Sequence, residues 1–184
     1  MWVAAAIIWG FAEATLFFFV PDVLLTRAAL KLGWVKAVRL CAFAALAAVL
    51  GGALMYLWGA NNATEAYQLL DRIPAISPPL IADIAARISQ GWIDAIFLGG
   101  LTGQPFKIFM VELGAQNVPW LAALLIGFLA RFLRFFLFVS AASLVKKGLS
   151  LIIKPSKTLN LVLLSLWAVI WATVYLIYFS IFGF

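Results

Sequence analysis

The chain has 184 residues and a net charge of +6; 66% of its residues are hydrophobic, 11% are charged, and the mean hydropathy is +1.12. A soluble globular domain is about half apolar and a quarter charged, so this composition excludes one and indicates an integral membrane protein. Histidine is absent, and no nucleophile–base pairing or metal-ligand spacing is found. We therefore predict no enzyme activity, no cofactor, no metal and no nucleic-acid partner.

Hydropathy divides the chain into five apolar blocks within a single polytopic membrane domain, residues 1–184. A basic segment, a polar excursion and a second basic segment separate some of these blocks. The blocks are residues 2–20, 37–59, 92–115, 119–145 and 159–182.

Charge distribution predicts the orientation. Residues 27–39 and 146–157 each carry four lysines or arginines and no acid, whereas the excursion, residues 60–91, carries three acids and two arginines. The positive-inside rule places both basic segments in the cytoplasm, at an inner or plasma membrane if the source is bacterial, and the excursion outside. Within the excursion, "LIADIAARIS" has an amphipathic pattern, which suits a helix either lying on the membrane surface or packed on the helix bundle.

The block 92–115 is interrupted by "GGLTGQP", which contains the helix breakers Gly103 and Pro105. Its two arms are about 11 and 10 residues long, or some 15–18 Å as helix, and are too short to span a bilayer. Because the flanking blocks must cross in opposite directions, this block has to begin and end outside. We predict a re-entrant hairpin.

A second hairpin is predicted over residues 1–32, broken at Pro21 and entering from the cytoplasmic side. The alternative is that residues 2–20, which are just long enough, span the membrane once. With two hairpins, the predicted fold is an all-α membrane protein. It is an inverted repeat of two opposed re-entrant hairpins with about three transmembrane helices, as in transporters whose broken helices meet near the midplane.

Several ionisable residues lie at positions where lipid would surround them. Arg131 is 11 residues past the interfacial Trp120, about 16 Å along a helix, and Arg134 follows on the same face. Glu13 and Asp22 flank the first break, and Lys107 follows the second. Snorkelling to the headgroups is the alternative for the arginines, and a purely structural salt-bridge cluster is the alternative for the group.

We predict that Lys107, Arg131 and Arg134 bind a phosphate group and that Glu13 and Asp22 couple protonation or form ion pairs. Asp94 and Glu112, nearer the mouth of the second hairpin, are secondary candidates. The aromatic residues of the last block are interpreted as packing or lipid-facing residues; they include Trp167, Trp171, Tyr175 and Tyr178.

Four stretches in this order and spacing resemble the YqaA-like branch of the DedA/VTT superfamily, the SNARE-associated Golgi protein family. The resemblance covers residues 10 to about 148. It implies opposed re-entrant hairpins, and scrambling or flipping of phosphate-bearing lipids with proton-dependent transport in bacterial members. The stretches are "GFAEATLFFFVPDVLL", "AVLGGALMYLWG", "GWIDAIFLGGLTGQPFKIFMVELGA" and "GFLARFLRFFLFVSA".

The resemblance carries over to individual positions. The family's acids around the first tip match Glu13 and Asp22, its proline-then-basic element matches Pro105 and Lys107, and its arginine pair matches Arg131 and Arg134. The chain departs from the branch at Val20 and Gly103, each of which replaces the first of two prolines. It also departs at Glu112 and Leu113, which precede Gly114 and add an acid that would weaken an anion path.

The leading expectation is a transporter or scramblase of phospholipids or polyprenyl-phosphate lipids, whose headgroup passes through a polar groove between the hairpins. One alternative is a proton-coupled carrier of small solutes or ions. The other is a structural membrane-assembly protein with no transport. Assembly into a homo-oligomer is left open by the sequence.

Overall fold

The computed structural model describes residues 1–15, 17, 19–74, 76–154 and 157–182, with side chains as far as Ser180. The parts of the predicted first hairpin, excursion and second basic segment that fall on residues 16, 18, 75, 155 and 156 lie outside the described residues. Across the described residues the chain forms seven α-helices and no strand. The helices are α1 (Trp2–Thr15), α2 (Asp22–Leu32), α3 (Trp34–Leu70), α4 (Pro78–Thr102), α5 (Phe106–Ala115), α6 (Trp120–Ile152) and α7 (Lys157–Phe182).

Three of these helices are long and apolar enough to cross a membrane, judged by length and composition: α3, α6 and the Lys157–Ser180 part of α7. The predicted block 37–59 lies within α3, block 119–145 lies within α6 except for its first residue, and block 159–182 lies within α7. The prediction of an all-helical protein with helices that could span a membrane is thereby confirmed for the described residues. The insertion of the remaining helices as opposed re-entrant hairpins stays a prediction.

Helix α3 extends beyond its predicted block because its polar end is capped locally. Asn62 departs from helical geometry, with φ −151° and ψ 75°. Its side-chain oxygen accepts a hydrogen bond from the Glu65 backbone N–H at 3.2 Å. This is the arrangement of an N-cap, and it starts a second helical segment that runs to Leu70.

The amphipathic helix of the excursion packs on the bundle. In the first part of α4, Leu80, Ile84 and Ile88 are buried in the apolar core. On the opposite face Asp83 and Arg87 form an exposed ion pair at 2.9 Å. Of the two alternatives for this segment, burial of the apolar face supports packing against the protein, because a helix lying on lipid would leave that face uncovered.

Two breaks divide the second half of the chain into short helical arms. Gly91, at φ 178° and ψ 89°, separates the amphipathic part of α4 from the apolar arm that ends at Thr102. Gly103 then caps α4 in the left-handed conformation at φ 90°, and Pro105 precedes α5. The arm before the break and α5 are each about 15–17 Å long, roughly half of the apolar thickness of a bilayer.

Close backbone contact joins α3 to α5. A Cβ atom on Gly59 would overlap the backbone of Val111, and one on Gly114 would overlap the backbone of Tyr56. The Tyr56 hydroxyl also donates a hydrogen bond to the Val118 carbonyl at 2.5 Å. Small residues allow such approach where helices pack without a hydrophobic driving force, so these glycines are packing residues.

Helices α2 and α3 are joined by a single residue. Gly33 has φ 90°, and its N–H donates to the Ala29 carbonyl at 3.1 Å. Helix α7, by contrast, leaves most of its side chains exposed. Its polar attachments include the indole N–H groups of Trp167 and Trp171, which both donate to the Thr26 hydroxyl oxygen at 3.1 Å.

Candidate functional site: a buried charge cluster

A buried charge cluster is formed by Glu13, Asp22, Lys107, Arg131 and Arg134. Its first ion pair joins Glu13 and Arg131. Glu13 lies in the last turns of α1 and Arg131 lies in the middle of α6, and the two side chains form an ion pair. Their residues are only 2% and 1% exposed. The guanidinium carbon of Arg131 lies 5.2 Å from the centroid of the Phe106 ring and 4.9 Å from that of Phe135. Arg131 is therefore desolvated and held by one carboxylate and two aromatic rings.

The second pair is Asp22 with Arg134. Arg134 Nε donates to Asp22 Oδ2 at 3.1 Å, and both residues are buried. Another nitrogen of the same guanidinium, Nη1, donates to the Gly100 carbonyl near the end of α4. Arg134 thus connects the start of α2, directly after the first break, to the last turn of α4, directly before the second break.

Lys107 completes the cluster. It is 1% exposed, and its ammonium donates a hydrogen bond to the Phe17 carbonyl at 3.0 Å. Phe17 belongs to the break after α1, whereas Lys107 is in the first turn of α5, directly after the second break. Together with the contacts of Arg134, this bond brings the two breaks into contact.

The charges in this cluster do not balance. It contains three cations, Lys107, Arg131 and Arg134, but only two carboxylates, each of which is paired with an arginine. Among the residues that the structure describes, no carboxylate lies within ion-pair distance of Lys107. The cluster therefore carries one more positive charge than negative charge, and Lys107 is its cation without an ion-pair partner in the described ranges.

Among the described residues, two buried polar atoms of the cluster, and one of Gln104, also lack a hydrogen-bond partner. Within the described part of the chain, Asp22 Oδ1, Arg131 Nε and Gln104 Oε1 are buried without a hydrogen-bond partner. An unsatisfied buried polar group costs about 1–3 kcal/mol. The cluster therefore has unused hydrogen-bonding capacity at Asp22 and Arg131.

A cavity of about 160 Å³ opens beside the cluster. A single water needs about 10–15 Å³ on this scale, so the space can hold several waters or a phosphate-sized group. Glu13, Lys107 and Arg134 are its charged lining residues, whereas Arg131 and Asp22 do not reach it. Of the three predicted phosphate ligands, the structure places two at the cavity and one behind it.

The secondary candidates lie elsewhere. Asp94 is exposed. Glu112 is buried, but it accepts hydrogen bonds from the Tyr67 hydroxyl at 2.6 Å and from Gln116 Nε2 at 2.8 Å. Those two partners satisfy both of its carboxylate oxygens. Neither acid is part of the charge cluster.

The helix breakers occupy the positions at which helices begin and end. Pro21 precedes α2 as its N-cap, and Gly103 and Pro105 flank the break between α4 and α5. The left-handed φ of Gly103 is one that other residues rarely adopt. Both Gly103 and Pro105 also line the cavity.

Sequence reasoning missed the contribution of α7. Trp171, Tyr175 and Tyr178, interpreted above as packing or lipid-facing residues, line the cavity. The Tyr175 hydroxyl accepts a hydrogen bond from the Val20 N–H at 3.0 Å, at the first break. The sequence signal that could have identified them is their spacing, because positions three and four apart share one face of a helix.

Comparison with known proteins gives no identification: no protein-family model, no curated protein and no solved structure matches the chain. Within the described residues, no group of three or more histidine, cysteine, aspartate or glutamate side chains could hold a metal ion.

Proposed function

We propose that this membrane protein moves phosphate-bearing lipids across the bilayer. In this proposal the headgroup enters the charged cavity while the acyl chains stay in the apolar phase. The observation that carries it is Lys107, a buried cation with no acidic partner among the described residues, on the wall of a cavity. A buried, unpaired ammonium is costly in an apolar medium, and an anionic ligand would relieve that cost.

The two cations at the cavity have complementary roles. Lys107 donates to a backbone carbonyl, a neutral partner that a phosphate oxygen can replace with a stronger, charge-assisted bond. Arg134 already has a carboxylate, Asp22, and contributes its remaining donors. Arg131 is held by Glu13 and acts as a positioning residue, because it keeps that carboxylate from pairing with Lys107.

We further propose that the segments around the two breaks are re-entrant hairpins that enter from opposite leaflets, with residues 27–39 and 146–157 in the cytoplasm. Support comes from the short arms on each side of the second break and from the hydrogen bond between Lys107 and the first break. This arrangement is the one that membership of the DedA/VTT superfamily would imply, and we propose that membership on the resemblance of the four stretches described above.

The direct test is lipid movement in proteoliposomes. Purified protein is reconstituted with fluorescent phosphatidylglycerol, and the fraction accessible to an external quencher is followed over time. We expect protein-dependent movement, and a loss of at least about tenfold in rate for Lys107→Met, which removes the charge but keeps the length. Lys36→Met, an exposed residue of the first basic segment, is the matched control. Equal rates for Lys107→Met and wild type would overturn the phosphate role.

A structural role is the second candidate, favoured by the pairing of both carboxylates of the cluster with arginines. A protein of this kind would show no lipid movement above empty vesicles. The charge exchange Glu13→Arg with Arg131→Glu separates the two functions. Retained stability and a retained cellular phenotype would favour the structural role, whereas retained stability with lost lipid movement would favour transport.

A further inference from the structure

A second basic site lies at the other end of α7 from the charge cluster. Arg27 and Lys31 of α2, Lys146 of α6 and Asn160 of α7 line a pocket of about 350 Å³. Lys146 donates a hydrogen bond to the Leu30 carbonyl at 2.6 Å. No carboxylate lies within ion-pair distance of these three cations in the described ranges. The pocket is thus a cationic site without internal compensation.

An apolar groove begins where this pocket ends. It lies between α2, α6 and α7, has a volume of about 190 Å³ and is lined almost entirely by apolar surface. Leu30 and Leu163 line both the basic pocket and the groove. These shared walls make the two spaces neighbours along α7.

The groove continues to the charged cavity. Phe138, Trp171 and Val174 line both the groove and the cavity that contains Lys107. The basic pocket, the groove and the cavity therefore follow one another along the same side of α7. The apolar groove therefore joins two cationic sites, and we refer to the three spaces together as the track.

The length of the track matches about half of a bilayer. From Asn160 in the basic pocket to Trp171, where the cavity begins, α7 advances 11 residues, which is about 16 Å of helix. The apolar core of a bilayer is about 30 Å thick, so this distance connects a membrane surface to the middle of the bilayer. A lipid acyl chain in the groove would keep its headgroup at one of the two cationic ends.

We propose that Arg27, Lys31 and Lys146 form a loading site for the phosphate of an anionic lipid, and that one acyl chain of this lipid occupies the groove beneath α7. Basic pockets between helices at the cytoplasmic surface suit phosphate headgroups. The adjoining apolar groove favours a lipid over free phosphate. Binding at this site stands on the pocket and groove alone, and its role as a loading step rests on the proposed function.

Binding is tested on the full, delipidated chain in detergent by native mass spectrometry. The probes are dioctanoyl phosphatidylglycerol, dioctanoylglycerol, which lacks the phosphate, and inorganic phosphate. We expect Arg27→Gln/Lys31→Gln to bind the phospholipid at least about tenfold more weakly than wild type, from about 1 kcal/mol for each cation. Lys36→Gln/Arg39→Gln removes the same charge from the same basic segment outside the pocket, and we expect wild-type affinity.

A second pair of variants tests the groove. Ala141→Phe fills the groove wall, whereas Ala172→Phe adds the same ring to an exposed position of α7 outside the groove. We expect only the first to weaken phospholipid binding. Equal binding by the two charge variants, or binding of inorganic phosphate or dioctanoylglycerol as strong as that of phospholipid, would overturn the proposed site.

Transport assays separate this site from the proposed function. Lys107→Met is expected to stop lipid movement while leaving phospholipid binding at the basic pocket within about twofold of wild type. Movement that survives Lys107→Met would defeat the phosphate role of the cavity and leave the binding result standing. Loss of binding in Arg27→Gln/Lys31→Gln with an unchanged transport rate would defeat the loading step alone.

Discussion

Glu13 and Arg131 are separated by 118 residues in the chain and form an ion pair in which both side chains are buried. An arginine near the centre of a bilayer costs at least about 2.5–3.5 kcal/mol on insertion scales. The partner carboxylate and the two flanking rings offset part of that cost. The pair therefore fixes the end of α1 against the middle of α6. Glu13 lines the cavity, whereas Arg131 lies behind it.

Breaking this pair is expected to destabilise the fold. Either Glu13→Gln or Arg131→Gln should lower the free energy of unfolding by about 3–5 kcal/mol, because each leaves an uncompensated buried charge. The double variant should cost clearly less than the sum of the two, since it leaves no lone charge. Denaturation in detergent, followed by circular dichroism, measures all three. Additive losses would show that the two side chains are not energetically coupled.

Glu112 is expected to matter for stability and not for transport. Its carboxylate is satisfied by Tyr67 and Gln116, away from the charge cluster. Glu112→Gln should lower stability by about 1–2 kcal/mol through these bonds, and it should leave the rate of lipid movement within about twofold. Glu13→Gln serves as the comparison, with a large loss of rate. A large loss for Glu112→Gln would place this acid on the lipid path.

The contact between α3 and α5 should be intolerant of any side chain. Gly59→Val and Gly114→Val would each force the two backbones apart, and overpacking costs about 1–3 kcal/mol or more. Gly148→Ala is the control, because a Cβ at Gly148 meets nothing within 4 Å and alanine favours a helix by about 1 kcal/mol over glycine. Thermal unfolding of the three variants in one detergent checks the ranking. Equal melting temperatures would show that the helices are farther apart.

The attachment of α7 should depend in part on the hydroxyl of Thr26. Thr26→Val keeps the shape but removes the acceptor of the Trp167 and Trp171 indole N–H groups. We expect a loss of about 1–3 kcal/mol and a shifted tryptophan emission maximum. Thr173→Val, at an exposed position of α7, is the control. An unchanged emission spectrum in Thr26→Val would mean that the indoles find their partners elsewhere.

Topology can be tested with single cysteines in a Cys41→Ala background, since Cys41 is the one cysteine of the chain. If residues 92–115 re-enter, Gln90→Cys and Asn117→Cys should both react with an impermeant maleimide from outside. Lys36→Cys and Lys147→Cys should react only after the membrane is opened. Labelling of Gln90→Cys and Asn117→Cys from opposite sides would show that the block crosses completely.

The sequence allowed the helical content and the spanning segments to be predicted, because hydropathy and helix length are set locally by the bilayer. The break at Gly103 and Pro105 was equally local, since it follows from backbone geometry. The extent of α3 was missed because Asn62 caps a further segment, and this polar extension has no hydropathy signal.

The arrangement of the site was harder to predict. Burial required partners for Arg131 and Arg134, but which acid pairs with which arginine depends on how α1 and α2 pack against α6, and no local pattern encodes that. Glu112 was a secondary candidate in the sequence, and the bonds from Tyr67 and Gln116 that hold it outside the cluster could not be predicted from it. The aromatic face of α7 was visible as a spacing, whereas its placement against the cavity is a tertiary result.

The single-residue link at Gly33 limits how the track can open. Its N–H is bonded back into α2, and its φ of 90° leaves little slack between α2 and α3. Under the proposed function, α2 stays fixed to α3 through this link, so widening of the groove for a lipid would have to come from outward tilting of α7, which lines the groove and leaves most of its side chains exposed.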